Sequence, residues 1–345
     1  MPEGVDRIGT LLAAAVTEGG IPGAVAAVGQ GQVTLGRWTA GQADAGQHRP
    51  MRADTVFDLA SLTKVVATTT VALALAAQGR LGLDDPVAGY LPQFTACRRA
   101  PVTIRHLLTH TAGLPARRPF HRWCRTRAGL LRDLWHTPLE TPPGSRVAYS
   151  DPGFIALGEL VAVAAGNHLD TAVRTLVTGP LGLSAVTFNP NGPGECFAAT
   201  ERRADGTAWA GTVHDENARL MGGVAGHAGL FAPAADLARF AAWWVSDDDA
   251  VVPAWLRRAA ATCQTADLGV GRRGLGWTCA GDGFDILGGH WPPTAVSHTG
   301  FTGTSLALDP ASGRWVVLLT NAVHFGRDAT AVQALRRAVH AAAAP

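Results

Sequence analysis

Ala60-Ser61-Leu62-Thr63-Lys64, followed by the apolar run from Val65 to Ala77, holds the single lysine of a 345-residue chain. All other positive charge is carried by arginine, whose guanidinium stays protonated in a protein, whereas a lysine can lose its proton. On a helix, residues i and i+3 share a face with Cβ atoms about 5–6 Å apart, so an amine at 64 reaches a hydroxyl at 61. That spacing suits an amine-activated serine nucleophile. With eight serines and one lysine, the spacing arises by accident roughly one time in forty. A surface lysine is the plain alternative, and it fits poorly at the head of a run this apolar. The same burial is expected to desolvate Lys64 and push its pKa below about 10.4.

Outward from this stretch, composition narrows the field. Hydrophobic residues make up 47% and charged residues 16%, with a formal net charge of +2. Such a chain folds around a sizeable core, and the charge names no partner. Arg117, Arg118, Arg122, Arg125, Arg127 and Arg132 cluster beside Trp123 and Trp135. A solvated helix face or an anion-recognising cleft wall accounts for this better than a nucleic-acid footprint. Cys97, Cys124, Cys196, Cys263 and Cys279 are scattered and form no CxxC pair, so reduced, buried thiols are expected. The N-terminal residues have acids before any apolar run and do not read as a secretory signal, and no stretch has about 18 uninterrupted apolar residues. A cytoplasmic protein without a membrane partner is expected.

Patterning predicts a helix over 4–18, two strands over 23–39 turning at Gly31, and a helix beginning near Ser61. Helices are predicted over 103–108, 128–135, 154–165 and 169–177, then over 234–244. Short strands are predicted over 275–279, 295–299, 305–309 and 315–320, the last two joined by Pro310-Ala311-Ser312-Gly313, and a final helix over 329–342. Strands at both ends with helices between imply an α/β sheet domain built from residues 1–80 and 227–345, with a helical domain over 81–226 inserted.

Other motifs fail their context. Gly269-Val270-Gly271-Arg272-Arg273-Gly274 matches GxGxxG by letters, but no apolar strand precedes it and a strand-like run follows, which excludes the dinucleotide fingerprint. No GxSxG surrounds a serine. His106 and His110 lack a third ligand and read as capping or packing residues, so neither a metal nor a cofactor is expected.

Two further signatures follow Ser61 in order. Tyr149-Ser150-Asp151 comes after Pro142-Pro143-Gly144 and opens a helix, and His298-Thr299-Gly300 lies on a C-terminal strand. With Ser-x-x-Lys, this set resembles the penicillin-recognising serine enzymes, in particular the class C β-lactamase-like hydrolases, esterases and acyltransferases. Phe57-Asp58-Leu59-Ala60-Ser61, His214-Asp215-Glu216-Asn217 and Gly226-His227-Ala228-Gly229 extend the similarity over nearly the whole chain. The resemblance implies a β-lactamase/transpeptidase-like α/β fold with an antiparallel sheet flanked by helices.

It further implies that Ser61 carries the acyl group and that Lys64 and Tyr149 exchange protons, either serving as base. The backbone amides of Ser61 and Phe301 would form the oxyanion hole. Asp151, His298, Thr299, Gly300 and His214 would contact substrate. Two departures stand out, since Asp151 replaces an asparagine and His298 a lysine, and both changes weaken the β-lactamase reading without touching acyl-enzyme chemistry; a β-lactamase or D-amino-acid peptidase is the alternative. The expected activity is cleavage of an ester or activated amide, with transfer of the acyl group to water or to an amine or alcohol acceptor.

Overall fold

The computed structural model describes residues 4–96 and 101–345. The N-terminal prediction is met by a short turn and α1 (Ile8–Thr17). Two long strands follow, β1 (Gly23–Gln30) and β2 (Val33–Asp44), then β3 (Arg49–Pro50) and β4 (Val56–Asp58). The Ser61 helix begins as a wide-wound π segment, Lys64–Thr69, in which the Thr70 hydroxyl bonds the Val65 carbonyl at 2.8 Å, and continues as α2 (Thr70–Ala77). Insertions of this kind recur at functional sites. The stretch 60–77 is apolar enough to cross a membrane by composition, yet 83% of it is buried inside the fold, as befits a core helix.

Helices dominate the middle: α3 (Val87–Tyr90), α4 (Ile104–Leu108), α5 (Arg127–Trp135), α6 (Asp151–Ala165) and α7 (Leu169–Val173). A two-residue strand, β5 (Thr187–Phe188), interrupts them before α8 (Glu216–Leu220). The C-terminal part comprises β6 (Leu230–Pro233), α9 (Ala234–Trp244), α10 (Ala254–Ala261), β7 (Thr278–Cys279), β8 (Val296–Thr299), β9 (Ser305–Asp309), β10 (Arg314–Thr320) and α11 (Thr330–Ala342).

Seven strands form one antiparallel sheet in the order β3-β2-β1-β10-β9-β8-β7, which places the first and last strands of the chain side by side. Side chains alternate across a strand, and here both faces are covered. Ala24, Ala26 and Val28 of β1 join Val316 and Leu318 of β10 under α1 and α11. Val25 and Ala27 join Trp315, Val317 and Leu319 on the opposite face, in a core shared with α9 and the helical segment. Gly29 is needed there because a Cβ would lie 2.0 Å from the Trp315 ring. A smaller sheet, β4-β6-β5, leads into Ser61.

Three expectations need correcting. Residues 275–277 are not strand: Gly276 takes a left-handed φ of 80°, and the amides of Leu275 and Gly276 donate to Ala260 and Leu108 carbonyls rather than to a ladder. Cys196 is exposed and Cys263 half-buried, whereas Cys124 and Cys279 are buried; Cys97 lies outside the described residues. The strands β4, β5 and β6 and the helices α8 and α10 were not anticipated, being too short for periodicity to show.

Candidate active site

Ser61 sits where β4 ends. Ala60 adopts φ 47°, a left-handed conformation that costs a non-glycine residue about 1–3 kcal/mol and persists only where neighbours enforce it. Asp58 is the enforcer. Its buried carboxylate accepts the Ala60 amide on Oδ1 at 2.8 Å and the His214 amide on Oδ2 at 2.6 Å. Burial lifts the Asp58 pKa, and these two amides oppose the shift. The kink turns Ser61 out of the sheet while Leu62 and Thr63 begin the helix, with the Thr63 hydroxyl fixed to the Ala60 carbonyl at 2.6 Å.

Lys64 is fully buried and its ammonium has three acceptors: Ser61 Oγ at 3.0 Å, Asp151 Oδ1 at 2.8 Å and the His227 carbonyl at 3.1 Å. Three N–H donors meet three acceptors, as a charged ammonium requires. Burial lowers the lysine pKa, but the Asp151 carboxylate and the Tyr149 phenol outweigh it, and the net direction is upward. This reverses the expectation drawn from the apolar run. Asp151, expected to contact substrate, instead lies in an ion pair with Lys64, contributed by a helix that begins 87 residues downstream.

That helix is placed by local chemistry. Ser150 caps α6 by accepting the Gly153 amide at 3.0 Å, Asp151 and Pro152 occupy its first turn, and Gly166 closes it with φ 64°. Gly158 lets α6 approach Gly226, where any Cβ would meet that residue's backbone at 2.7 Å. The contact fixes the loop carrying the His227 carbonyl. Tyr149, just before α6, is half-buried with its ring centroid 4.9 Å from Lys64 Nζ.

The His298-Thr299-Gly300 strand β8 closes the site. A Cβ on Gly300 would lie 2.5 Å from the Leu59 carbonyl, and the hydroxyls of Thr302 and Thr304 donate to the Asp58 and Leu59 carbonyls at 2.8 and 3.0 Å. Phe301 is thereby held against the Ser61 loop. Among the described residues neither the Ser61 nor the Phe301 amide has a hydrogen-bond acceptor, so both are free to face an oxyanion. Thr299 pairs with Ser305 across the β8–β9 ladder.

Four histidines surround this centre. His298 Nδ1 faces the Thr299 carbonyl at 3.0 Å, and burial, with Lys64 and Arg273 nearby, lowers its pKa to about 3. His110 Nδ1 accepts the Ser150 amide at 3.0 Å, its ring packs 4.6 Å from Tyr149, and burial pushes its pKa well down. Both rings are neutral. His227 lies 2.8 Å from Asp215, and His214 lies 3.1 Å from Glu201 while stacking on Phe301. Burial would raise the Asp215 pKa, but His227 and the Ala218 amide hold it well below the usual carboxylate range.

His106, by contrast, caps α4 by accepting the Thr103 amide at 3.1 Å. The arginine-rich stretch begins at the site: the Pro115 and Ala116 carbonyls accept the Ser150 hydroxyl and Asp151 amide at 2.7 and 3.1 Å. Its later members, Arg122 and Arg125, are exposed. Sequence reasoning missed Asp58, Asp215, His227 and Glu201. A buried-looking carboxylate three residues before Ser61 was the available signal for Asp58.

Residues 8–341 match the family model described as Beta-lactamase. The chain belongs to the Beta-lactamase family. Within this family of serine hydrolases, a putative D-alanyl-D-alanine carboxypeptidase from Escherichia coli (strain K12) is 33% identical over 314 residues, which cover 80% of this chain and 71% of that protein. Two solved structures share the fold. EstCE1, a hydrolase with promiscuous acyltransferase activity, superposes with TM-score 0.81 at 24% identity, covering 97% of this chain and 98% of its own. Unliganded simvastatin synthase (LovD) from Aspergillus terreus superposes with TM-score 0.75 at 21% identity, covering 99% and 98%. The expected β-lactamase/transpeptidase-like α/β fold is thus the observed one.

Proposed function

We propose that this chain is a serine acyl-enzyme catalyst that cleaves a small ester or activated amide and passes the acyl group to water or to an amine or alcohol. The observation that carries the reading is the buried Lys64 ammonium held between Ser61 Oγ and Asp151. With all three protons engaged, Lys64 acts as an electrostatic partner rather than a base. Nζ lies 4.9 Å from the ring centroid of Tyr149, whose phenolate form is the general base proposed here. The phenolate takes the proton of Ser61 as Oγ bonds to the carbonyl carbon. The same proton goes to the leaving group as its bond to that carbon breaks, while the Ser61 and Phe301 amides hold the oxyanion.

The names of the relatives favour a second reading, a D-amino-acid peptidase. Against it stands His298, a neutral imidazole where a cation would pair with a terminal carboxylate. The deciding experiment offers p-nitrophenyl acetate, a D-alanyl-D-alanine peptide and nitrocefin to the protein, with and without a panel of amines and alcohols. Intact mass then reports acylation of Ser61. Ester turnover with acyl transfer to an acceptor supports the proposal, free acid alone reduces it to an esterase, and preference for the peptide or nitrocefin overturns it.

A further inference from the structure

We propose that Arg336 is a positioning residue of the oxyanion hole: its guanidinium, bound to the Gly300 carbonyl, fixes and polarises the peptide unit whose N–H is that of Phe301. The proposal rests on the acyl-enzyme reading above, in which the Phe301 amide faces the oxyanion. It adds a residue of α11 that touches no substrate.

A peptide unit joins the carbonyl of one residue to the amide of the next, so a hydrogen bond accepted by the Gly300 oxygen acts on the Phe301 N–H. Arg336 Nη2 donates to that oxygen at 2.6 Å and to the Thr304 carbonyl at 2.8 Å. The Gly303 amide also donates to the Gly300 oxygen, at 3.1 Å, and the Gly300 amide to the Thr304 oxygen, at 2.8 Å. One nitrogen thus joins both ends of the turn that carries Phe301. The peptide of the other oxyanion amide, Ser61, is supported in the same way by neutral donors: the Ala60 oxygen accepts the Thr63 hydroxyl at 2.6 Å and the Thr63 amide at 3.0 Å. Each oxyanion peptide has two donors behind it, and of the two it is that of Phe301 whose support is charged.

Packing does not account for that charge. Arg336 is buried, no carboxylate lies within ion-pair distance of it among the described residues, and its Nε is sealed from water without a partner. A buried cation without a counterion is costly. Nor does α11 need it for docking. Val332, Leu335 and Val339 pack against the sheet, the Trp291 indole donates to the His340 carbonyl at 2.8 Å, and Ser305 Oγ lies 3.0 Å from His340 Nε2. Burial draws the Arg336 pKa down to about 10, which leaves the guanidinium charged at neutral pH.

In each half-reaction a bond forms to the acyl carbon, from Ser61 Oγ or from the acceptor, and the carbonyl oxygen takes up the electron pair of its π bond. The Phe301 N–H meets that charge. A cation on the Gly300 oxygen draws electron density along the same peptide and strengthens its N–H as a donor, since hydrogen bonds in series reinforce one another. The guanidinium is in place before substrate arrives, so the gain falls on the transition state rather than on ground-state binding.

The test compares Arg336→Lys, Arg336→Gln and Arg336→Met, which keep the charge, keep a neutral donor, or keep neither. The substrate is p-nitrophenyl acetate, and the probe is phenylboronic acid, whose tetrahedral adduct with Ser61 places an oxygen in the hole. In Arg336→Met, kcat should fall about 10- to 30-fold with KM within about twofold, because both half-reactions lose the same support. The inhibition constant of the boronate should rise in the same proportion. The glutamine variant should lose about 5- to 10-fold and the lysine variant no more than about threefold. Thermal midpoints measured alongside separate folding from chemistry, and Arg336→Gln carries the test if the methionine variant does not fold. Unchanged kcat in a folded methionine or glutamine variant, or a fall in kcat with boronate affinity unchanged, would overturn the proposal and leave Arg336 a clamp on α11. A parent protein that never forms the acetyl adduct on Ser61 by intact mass would instead sink the acyl-enzyme reading itself.

Discussion

Two walls of the site treat histidine differently. On one, His110 and His298 are buried without a carboxylate partner, and desolvation beside the cations Lys64 and Arg273 strips both of charge. On the other, His227 and His214 are each bonded to a carboxylate, Asp215 and Glu201. A carboxylate fixes the tautomer and supports an imidazolium when a proton arrives, whereas burial alone makes the ring a neutral spacer. Between the walls lies Lys64, desolvated like the first and paired like the second. For Lys64 the pairing wins.

The largest expected effect comes from removing the group common to both walls. Ser61→Ala and Lys64→Arg should each lower ester turnover by at least about 10⁴-fold. The arginine retains charge but cannot place a planar guanidinium among three acceptors arranged for an ammonium. Steady-state rates beside circular dichroism check this, and appreciable activity in the arginine variant would refute the geometry.

Asp151→Asn converts Lys64 from the paired condition to the merely buried one. Asp151 raises the lysine pKa and burial lowers it, so in the variant the ammonium should be lost at lower pH. The alkaline limb of the kcat profile should move toward neutrality, with turnover near pH 7 reduced about 10- to 100-fold. An unshifted alkaline limb would show that Asp151 does not govern Lys64.

Asp58→Asn sharpens the comparison at its hinge. An amide group placed against two N–H donors must leave one of them unsatisfied, which should cost about 2–3 kcal/mol of stability. Turnover should fall as well, because the strained Ala60 turn loses its restraint. Denaturant unfolding monitored in parallel with kinetics reads both.

The effect absent at neutral pH concerns the neutral wall. Between pH 6.5 and about 3 an unfolded histidine binds a proton that folded His298 refuses, so stability is complete above 6.5 and declines as pH falls through that window. His298→Gln should flatten this acid slope by up to about 1.4 kcal/mol per pH unit. Thermal midpoints measured across the window would contradict the assignment if both proteins gave the same slope.

Much of the architecture was legible because it is locally encoded. The short, continuous buried runs of β1 and β10, the Pro310–Gly313 hairpin and the Ser150-Asp151-Pro152 start of α6 each express a rule acting over a few residues. Residues 275–277 misled because their β-like composition is overruled by Gly276, whose conformation serves contacts with Leu108 and Thr69 from other parts of the chain. Similarly, Asp151 reads as a substrate contact when it stands alone beside Tyr149, and becomes a counterion only once α6 packs against the Ser61 helix.

Sequence by itself determined that Ser61 and Lys64 share a helix face, since three residues of helix settle that distance, and that Tyr149 and His298 belong to the same constellation in a chain of this family. Tertiary structure alone decided the charges. A side chain's protonation depends on how much water is removed and which ions replace it, and for Lys64 and His298 those ions include Asp151 and Arg273, residues distant from them along the chain.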